Sequence, residues 1–158
     1  MEPTLEAFIF TKLESNSNLF FDILPDEWSN DIVPVWSQYE KSSSIYVVKL
    51  KGKIIGGGIL FNTPAPDTKH YNALAISKLN TWFDKGYKYI AYFLIQDQYR
   101  GMGIGLKWLM EIIALQLNQG LFLTVDEQSL INFYEKVGFK LQEEIRLKDC
   151  KEWVLVWG

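Results

Sequence analysis

Several residue types are scarce in this 158-residue chain, and each scarcity narrows its chemistry. There is one cysteine, one histidine and five prolines, and only Arg100 and Arg146 among its 16 cations are arginine. A lone Cys150 excludes an intrachain disulfide and fits a reducing compartment. Its only candidate partner is His70, so Cys150 reads as a buried, inert thiol rather than a nucleophile. One His and one Cys leave no zinc site of the usual ligand composition, and no spaced Asp loop suggests calcium. No metal is expected. No apolar run reaches the roughly 18 residues of a membrane span. The first residues carry Glu2 and Glu6 without an apolar core, so they do not read as a signal peptide. A cytoplasmic protein with no membrane partner is the expectation. The formal charge is -3, from 16 basic and 19 acidic residues. No basic face is implied, and no nucleic-acid partner.

What the chain does have is ordinary globular material: 48% hydrophobic and 15% aromatic residues, too apolar for disorder. A chain of this length buries roughly two thirds of its unfolded surface without a staple. The sole Pro-rich stretch, residues 62–67, is a short loop. No linker, repeat or low-complexity block divides the chain, so residues 1–158 read as a single domain.

Residues 5–11 read as a first strand. Residues 19–23 and 28–39 read as helical, with Asp26 as a cap and Pro34 bending or restarting the second segment. Residues 45–50 and 53–61 form a hairpin through Lys51 and Gly52. Gly56, Gly57 and Gly58 inside the second strand suggest a bulge or the close approach of another group. A helix is expected over 72–85, ended by Gly86. Residues 89–95 are seven successive apolar residues, the mark of a strand buried on both faces. Leu106, Leu109, Met110, Ile113, Ala114 and Leu117 then share one helical face, closed by Gly120. A short strand at 121–125 precedes a helix around 130–137, capped by Ser129 or Asp126 and stopped by Gly138. Residues 140–146 and 153–157 close the chain as strands. Alternating strands and helices give an α/β (α+β) class with a mixed sheet.

The informative stretch is the glycine loop between the most buried strand and the most regular helix. It bares backbone N–H groups at a helix N-terminus, which with the helix dipole favour an anion, most often phosphate. Gly101, Gly103 and Gly105 let a phosphate approach the backbone, and Arg100 adds forked positive donors. The loop is not a P-loop, because Lys107 and Trp108 do not supply the Gly-Lys-Ser/Thr ending. It is not a dinucleotide fingerprint either, because Leu106 or Trp108 stands where the third glycine belongs. What remains is the pattern [Q/R]-x-x-G-x-[G/A], filled by Arg100, Gly103 and Gly105.

That loop, with residues 95–105 around it, resembles the acetyl-CoA-binding motif of the GNAT N-acetyltransferase superfamily. A second block, Phe133, Tyr134, Glu135, Lys136, Val137, Gly138 and Phe139, is similar to the family's F-Y-E-K-x-G-F signature. The well-matched part runs over residues 89–139. The resemblance implies a mixed, mostly antiparallel central sheet of six to seven strands flanked by helices. It implies acetyl transfer from acetyl-CoA, a cosubstrate, to an amine of a small molecule or a protein by direct attack on the thioester. It places Phe93, Leu94 and Ile95 along the pantetheine arm. It assigns Arg100, Gly101, Met102, Gly103, Ile104, Gly105 and Leu106 to the pyrophosphate. It makes Tyr134 the acid that serves the departing thiolate, with a backbone N–H of the central strand polarising the carbonyl. A homodimer is common among such proteins.

The departures are equally specific. Glu127 stands where many relatives carry Asn, and Thr124 where the fifth strand often carries a Glu base. No carboxylate lies in 89–95. The base is therefore open among Asp97, Asp126, Glu127 and a water, with Tyr92 as a further contributor to the acceptor site. Tyr134 could instead be a core aromatic with a satisfied hydroxyl. His70 reads as an exposed side chain, with a role at the acceptor site as the alternative. Trp28, Trp36, Trp82 and Phe83 read as packing residues or as the lining of an acceptor pocket. Residues 62–88 are longer than the hairpin usual there and read as an inserted helix over the acceptor cleft. The missing Asn and Glu also motivate a different class, a non-catalytic CoA-binding regulatory or interaction module. A transferase for another acyl group is a third reading. The acceptor itself is not legible.

Overall fold

The computed structural model describes residues 4–115 and 120–158. Seven strands form one sheet in the order β1-β2-β3-β4-β5-β7-β6. They are β1 (Phe8–Lys12), β2 (Ser44–Leu50), β3 (Lys53–Phe61), β4 (Lys88–Ile95), β5 (Leu121–Val125), β6 (Lys140–Arg146) and β7 (Lys151–Trp157). Every pairing is antiparallel except β4 with β5. The helices are α1 (Asn18–Phe21), α2 (Asp26–Ile32), α3 (Ala73–Asp84), α4 (Ile104–Leu115) and α5 (Ile131–Glu135). The expected mixed, mostly antiparallel sheet is present.

Period-2 alternation divides the strands between two cores. Tyr89, Ala91, Phe122, Val154 and Val156 pack with Phe20, Ile32 and Leu79 on the face of α1, α2 and α3. Ile90, Leu121, Leu123 and Leu155 pack with Ile104, Trp108, Leu109 and Ile112 on the face of α4. The buried stripe of α4 is centred on Trp108. Met110 and Ala114, expected inward, are exposed, and Leu117 lies outside the described residues.

One glycine of the triplet serves that tryptophan. A Cβ on Gly58 would stand 2.8 Å from the Trp108 ring, and one on Gly57 3.0 Å from Phe20. Close approach is thus the main reason for the glycines. A register shift in β2–β3, between Val48 and Lys49, also lies beside Gly56.

Other expectations shift at element ends. β1 begins at Phe8 because residues Leu5–Ala7 form a 3-10 turn. Asp26 is the first residue of α2, behind Pro25, and does not cap it. Pro34 restarts the chain as a 3-10 turn over Val33–Gln38. Neither Ser129 nor Asp126 caps α5, which grows out of a 3-10 turn at Gln128–Leu130. Cys150, expected buried, is exposed in the β6–β7 turn, where the strand ends leave no core to enter.

Candidate active site

β4 and β5 pair only at Lys88↔Leu121 and Tyr89↔Phe122. Beyond that register they separate, and the β4 edge facing β5 is left without a ladder partner. A parallel pair that parts in this way exposes backbone N–H and C=O groups to whatever enters the gap. A bulge sharpens the opening. On β3 two steps separate Gly57 from Ile59, while on β4 three separate Leu94 from Ala91. The extra residue places Ala91 and Tyr92 on the same face. Tyr92 takes φ +55°, a strained value for a bulky residue and one found at functional sites.

The chain leaving β4 forms the glycine loop. Gly101 and Gly103 adopt φ +80° and +81°, with nothing within 4 Å of where a Cβ would stand. The positive φ favours glycine, and the space over the backbone is open. Ile104 is buried, so it offers the outside only its backbone. The N–H groups of Ile104, Gly105 and Leu106 open α4 and have no intrahelical acceptors. A Cβ on Gly105 would stand 3.3 Å from the Phe133 ring and 3.4 Å from the Phe93 ring. Arg100 is anchored by Nε–H donating to Ile95 O at 2.9 Å and by an ion pair to Asp97 at 2.7 Å. Phe93 stacks on Trp108 with ring centroids 4.7 Å apart.

Tyr134, on α5, packs against the core on the α4 face, edge-on to Phe133 and Phe139 at 5.0 and 5.9 Å. Burial alone pushes its phenol up to about 12. No protein hydrogen bond or charge contributes. The phenol stays protonated, and able to donate, over the working pH range.

The other face of the opening holds a buried polar cluster. Tyr89 Oη donates to Asp67 Oδ2 at 2.9 Å and lies 3.0 Å from Thr124 Oγ1. Tyr71 Oη donates to Glu152 Oε1, and His70 Nε2 lies 2.8 Å from Glu152 Oε2. Glu152 is 8% exposed. Burial raises the Asp67 carboxyl to about 7; the Tyr89 hydrogen bond opposes the rise, and the Glu152 charge adds to it. Burial also lifts Tyr71, Tyr89 and Tyr92 well above the usual phenol range. Asp67 Oδ1 and Tyr92 Oη are enclosed without a hydrogen-bond partner. A recess of about 400 Å³ lies elsewhere, at residues 12–17 and 40–45. Its charges, Lys12, Glu14, Glu40 and Lys41, are of both signs and form no such cluster.

The acetyltransferase (GNAT) family pattern matches residues 13–139. The chain belongs to the GNAT acetyltransferase family. Comparison with curated sequences gives no match, but solved GNAT structures share the fold. One is a GNAT acetyltransferase from Elizabethkingia anophelis with acetyl-CoA bound, at 15% identity and TM-score 0.60, covering 96% of this chain and 98% of that one. A second is Ard1 from Thermoplasma volcanium, at 16% identity and TM-score 0.63, covering 95% and 96%. A third is Arabidopsis thaliana Naa50 in complex with the bisubstrate analogue CoA-Ac-MVNAL, at 14% identity and TM-score 0.60, covering 96% and 99%.

In this GNAT chain, acetyl-CoA fits what is present. The open cradle over Gly101 and Gly103 suits a pyrophosphate, and the free β4 edge suits an amide-bearing arm. Among the described residues no group of His, Cys, Asp and Glu could hold a metal, and no helix is long and apolar enough to cross a membrane. Asp97 is paired to Arg100 beside the glycine loop, and Asp126 and Glu127 are exposed past the end of β5. None of the three joins the buried cluster. Asp67 and Glu152 do, and sequence reasoning missed both. Asp67 was hidden in a Pro-rich loop. Glu152 falls in inward register with Val154 and Val156 once β7 is begun at Lys151 rather than at Trp153. His70 is half exposed as expected, yet it is tied to that cluster.

Proposed function

We propose that this GNAT acetyltransferase moves an acetyl group from acetyl-CoA to a primary amine by direct attack, using the gap between β4 and β5 as its centre. The observation that carries the reading is the free β4 edge running into a glycine loop at the start of α4. Phe93, Leu94 and Ile95 hold the pantetheine arm along that edge. Residues 101–106 hold the pyrophosphate through backbone N–H groups, and Arg100 adds charge. When bound, acetyl-CoA supplies an activated thioester carbonyl. A β4 N–H near the Tyr92 bulge stabilises the negative charge that builds on the thioester oxygen. Tyr134 donates a hydrogen bond to the departing sulfur. A thiolate near pKa 8.5 cannot fully deprotonate a phenol near 12 without a cost of about 5 kcal/mol. Tyr134 therefore stabilises the sulfur chiefly by donating, and the proton moves as solvent re-enters.

The acceptor is a small-molecule or protein amine reaching the cluster from the α2 side, where residues 66–71 of the inserted segment border the opening. The test is release of CoA thiol from acetyl-CoA against a panel of amines, with an enzyme-only control for the exposed Cys150. Release that depends on an amine is the expected result. A non-catalytic CoA-binding module would bind acetyl-CoA and release none.

A further inference from the structure

We infer that Asp67, carried over the sheet by the segment between β3 and β4, is the general base for the acceptor, and that the polar cluster around it favours a cationic primary amine. The inference rests on the transferase reading above and assigns the proton acceptor that the usual family positions lack here.

Place comes first. Tyr89 is on the last paired residue of β4, and Thr124 is two residues past its counterpart on β5. The Asp67 carboxyl, bonded to Tyr89, therefore stands where the two strands part. It lies on the face opposite α4, so the glycine loop and Asp67 address the gap from opposite sides.

Unfilled bonding capacity comes next. Asp67 uses Oδ2 on Tyr89 while Oδ1 is enclosed without a partner. Tyr92, 5% exposed, also has an unpartnered hydroxyl, and it is close enough to Asp67 to feel its charge. Buried polar atoms are rarely left this way. An ammonium has donors and no acceptor, so it supplies what Asp67 Oδ1 lacks. Trp28 closes the side, edge-on to Tyr92 at 6.0 Å.

The surrounding charge agrees. Asp31 on α2 is paired to Lys69. Glu152 on β7 faces His70 and Tyr71. The remaining groups, Tyr89, Tyr92 and Thr124, are neutral, so the cluster's unneutralised charge is carboxylate and it favours a cation. A base near pH 7 is also well matched to removing an ammonium proton at neutral pH.

The step balances. Asp67 takes one proton from the ammonium and passes it to solvent. The amine nitrogen forms a bond to the acetyl carbon as the carbon–sulfur bond breaks. The nitrogen's second proton balances the one taken up by the thiolate, and one proton is released overall.

The probes are butylamine, spermidine, a peptide with a free amino terminus and an aminoglycoside, beside methoxyamine, which is already neutral at pH 7. In the wild type, kcat/KM rises to about pH 7 and then levels until the amine's own pKa near 10. In Asp67→Asn it falls about 100-fold or more at pH 7 and keeps rising toward pH 10. Methoxyamine turnover changes by less than about fivefold, because no proton need be removed first. Tyr92→Phe, which perturbs the fold little, raises KM for the amines and leaves the pH profile in place. Independently of turnover, carbon NMR of the free protein shows one Asp carboxyl titrating near 7 that is missing from Asp67→Asn. Equal losses with butylamine and methoxyamine, or an unchanged pH profile, overturn the assignment. So does a wild type that binds acetyl-CoA and acetylates none of the amines. Failure to bind acetyl-CoA overturns the transferase reading instead.

Discussion

Charging Asp67 inside the fold costs stability, and removing the charge recovers it. Its carboxyl rises from 3.8 in the open chain to about 7 in the folded protein. The folded state thus binds the proton more tightly than the unfolded state. For a carboxyl raised in this direction, stability is present at low pH and is lost as pH rises from about 4 to about 7. The full loss above pH 7 is about 4 kcal/mol. Asp67→Asn keeps an oxygen that accepts from Tyr89 and carries no charge. The variant should be more stable than the wild type at about pH 8.5, by up to about 4 kcal/mol. The gain should shrink through the window from 7 to 4 and vanish below it. Urea unfolding of both proteins at half-unit pH steps measures this directly, and other titrating groups cancel in the difference. A difference that is flat with pH, or a variant less stable at about pH 8.5, would refute the burial argument for Asp67. The stabilised variant should also be the slow one, since a strained charge at a site of chemistry trades stability for activity.

Further outcomes follow from single contacts. Tyr134→Phe should lower kcat by about 10- to 100-fold with little change in KM or melting temperature, as expected for a donor used only as sulfur departs. Steady-state kinetics at saturating amine checks it, and an unchanged kcat makes Tyr134 a packing residue. Gly58→Ala would push a methyl to 2.8 Å from Trp108 and should destabilise by about 1–3 kcal/mol, read as a lower urea midpoint. Arg100→Ala should weaken acetyl-CoA binding by about tenfold, the scale of one charged hydrogen bond. The loss should narrow at high salt, which a titration in two buffers would show.

The shape of the glycine loop was legible because local sequence determines it. Gly101 and Gly103 are favoured by positive φ, and the loop must join a doubly buried strand to an apolar helix. The acceptor side was not, because it is assembled from distant segments. Asp67, Tyr89, Thr124 and Glu152 come from the insert, β4, β5 and β7, and no spacing along the chain announces that they meet. The bulge at Tyr92 was invisible for a similar reason: it is a register property of β3 against β4. The glycine triplet was noticed, but the partner of Gly58, Trp108, lies about fifty residues on. The helical face of 106–117 was read from aliphatics alone, and counting Trp108 among them would have rotated it correctly.

The central claim is that the loop after β4 binds the pyrophosphate of acetyl-CoA. Calorimetric titration of the wild type and Gly103→Glu with acetyl-CoA and with acetyl-pantetheine, which lacks the phosphates, tests it most directly. The account predicts that the wild type binds acetyl-CoA far more tightly than acetyl-pantetheine, and that Gly103→Glu removes this preference while leaving acetyl-pantetheine binding in place. Equal binding of acetyl-CoA by both proteins, or no preference in the wild type, would contradict it.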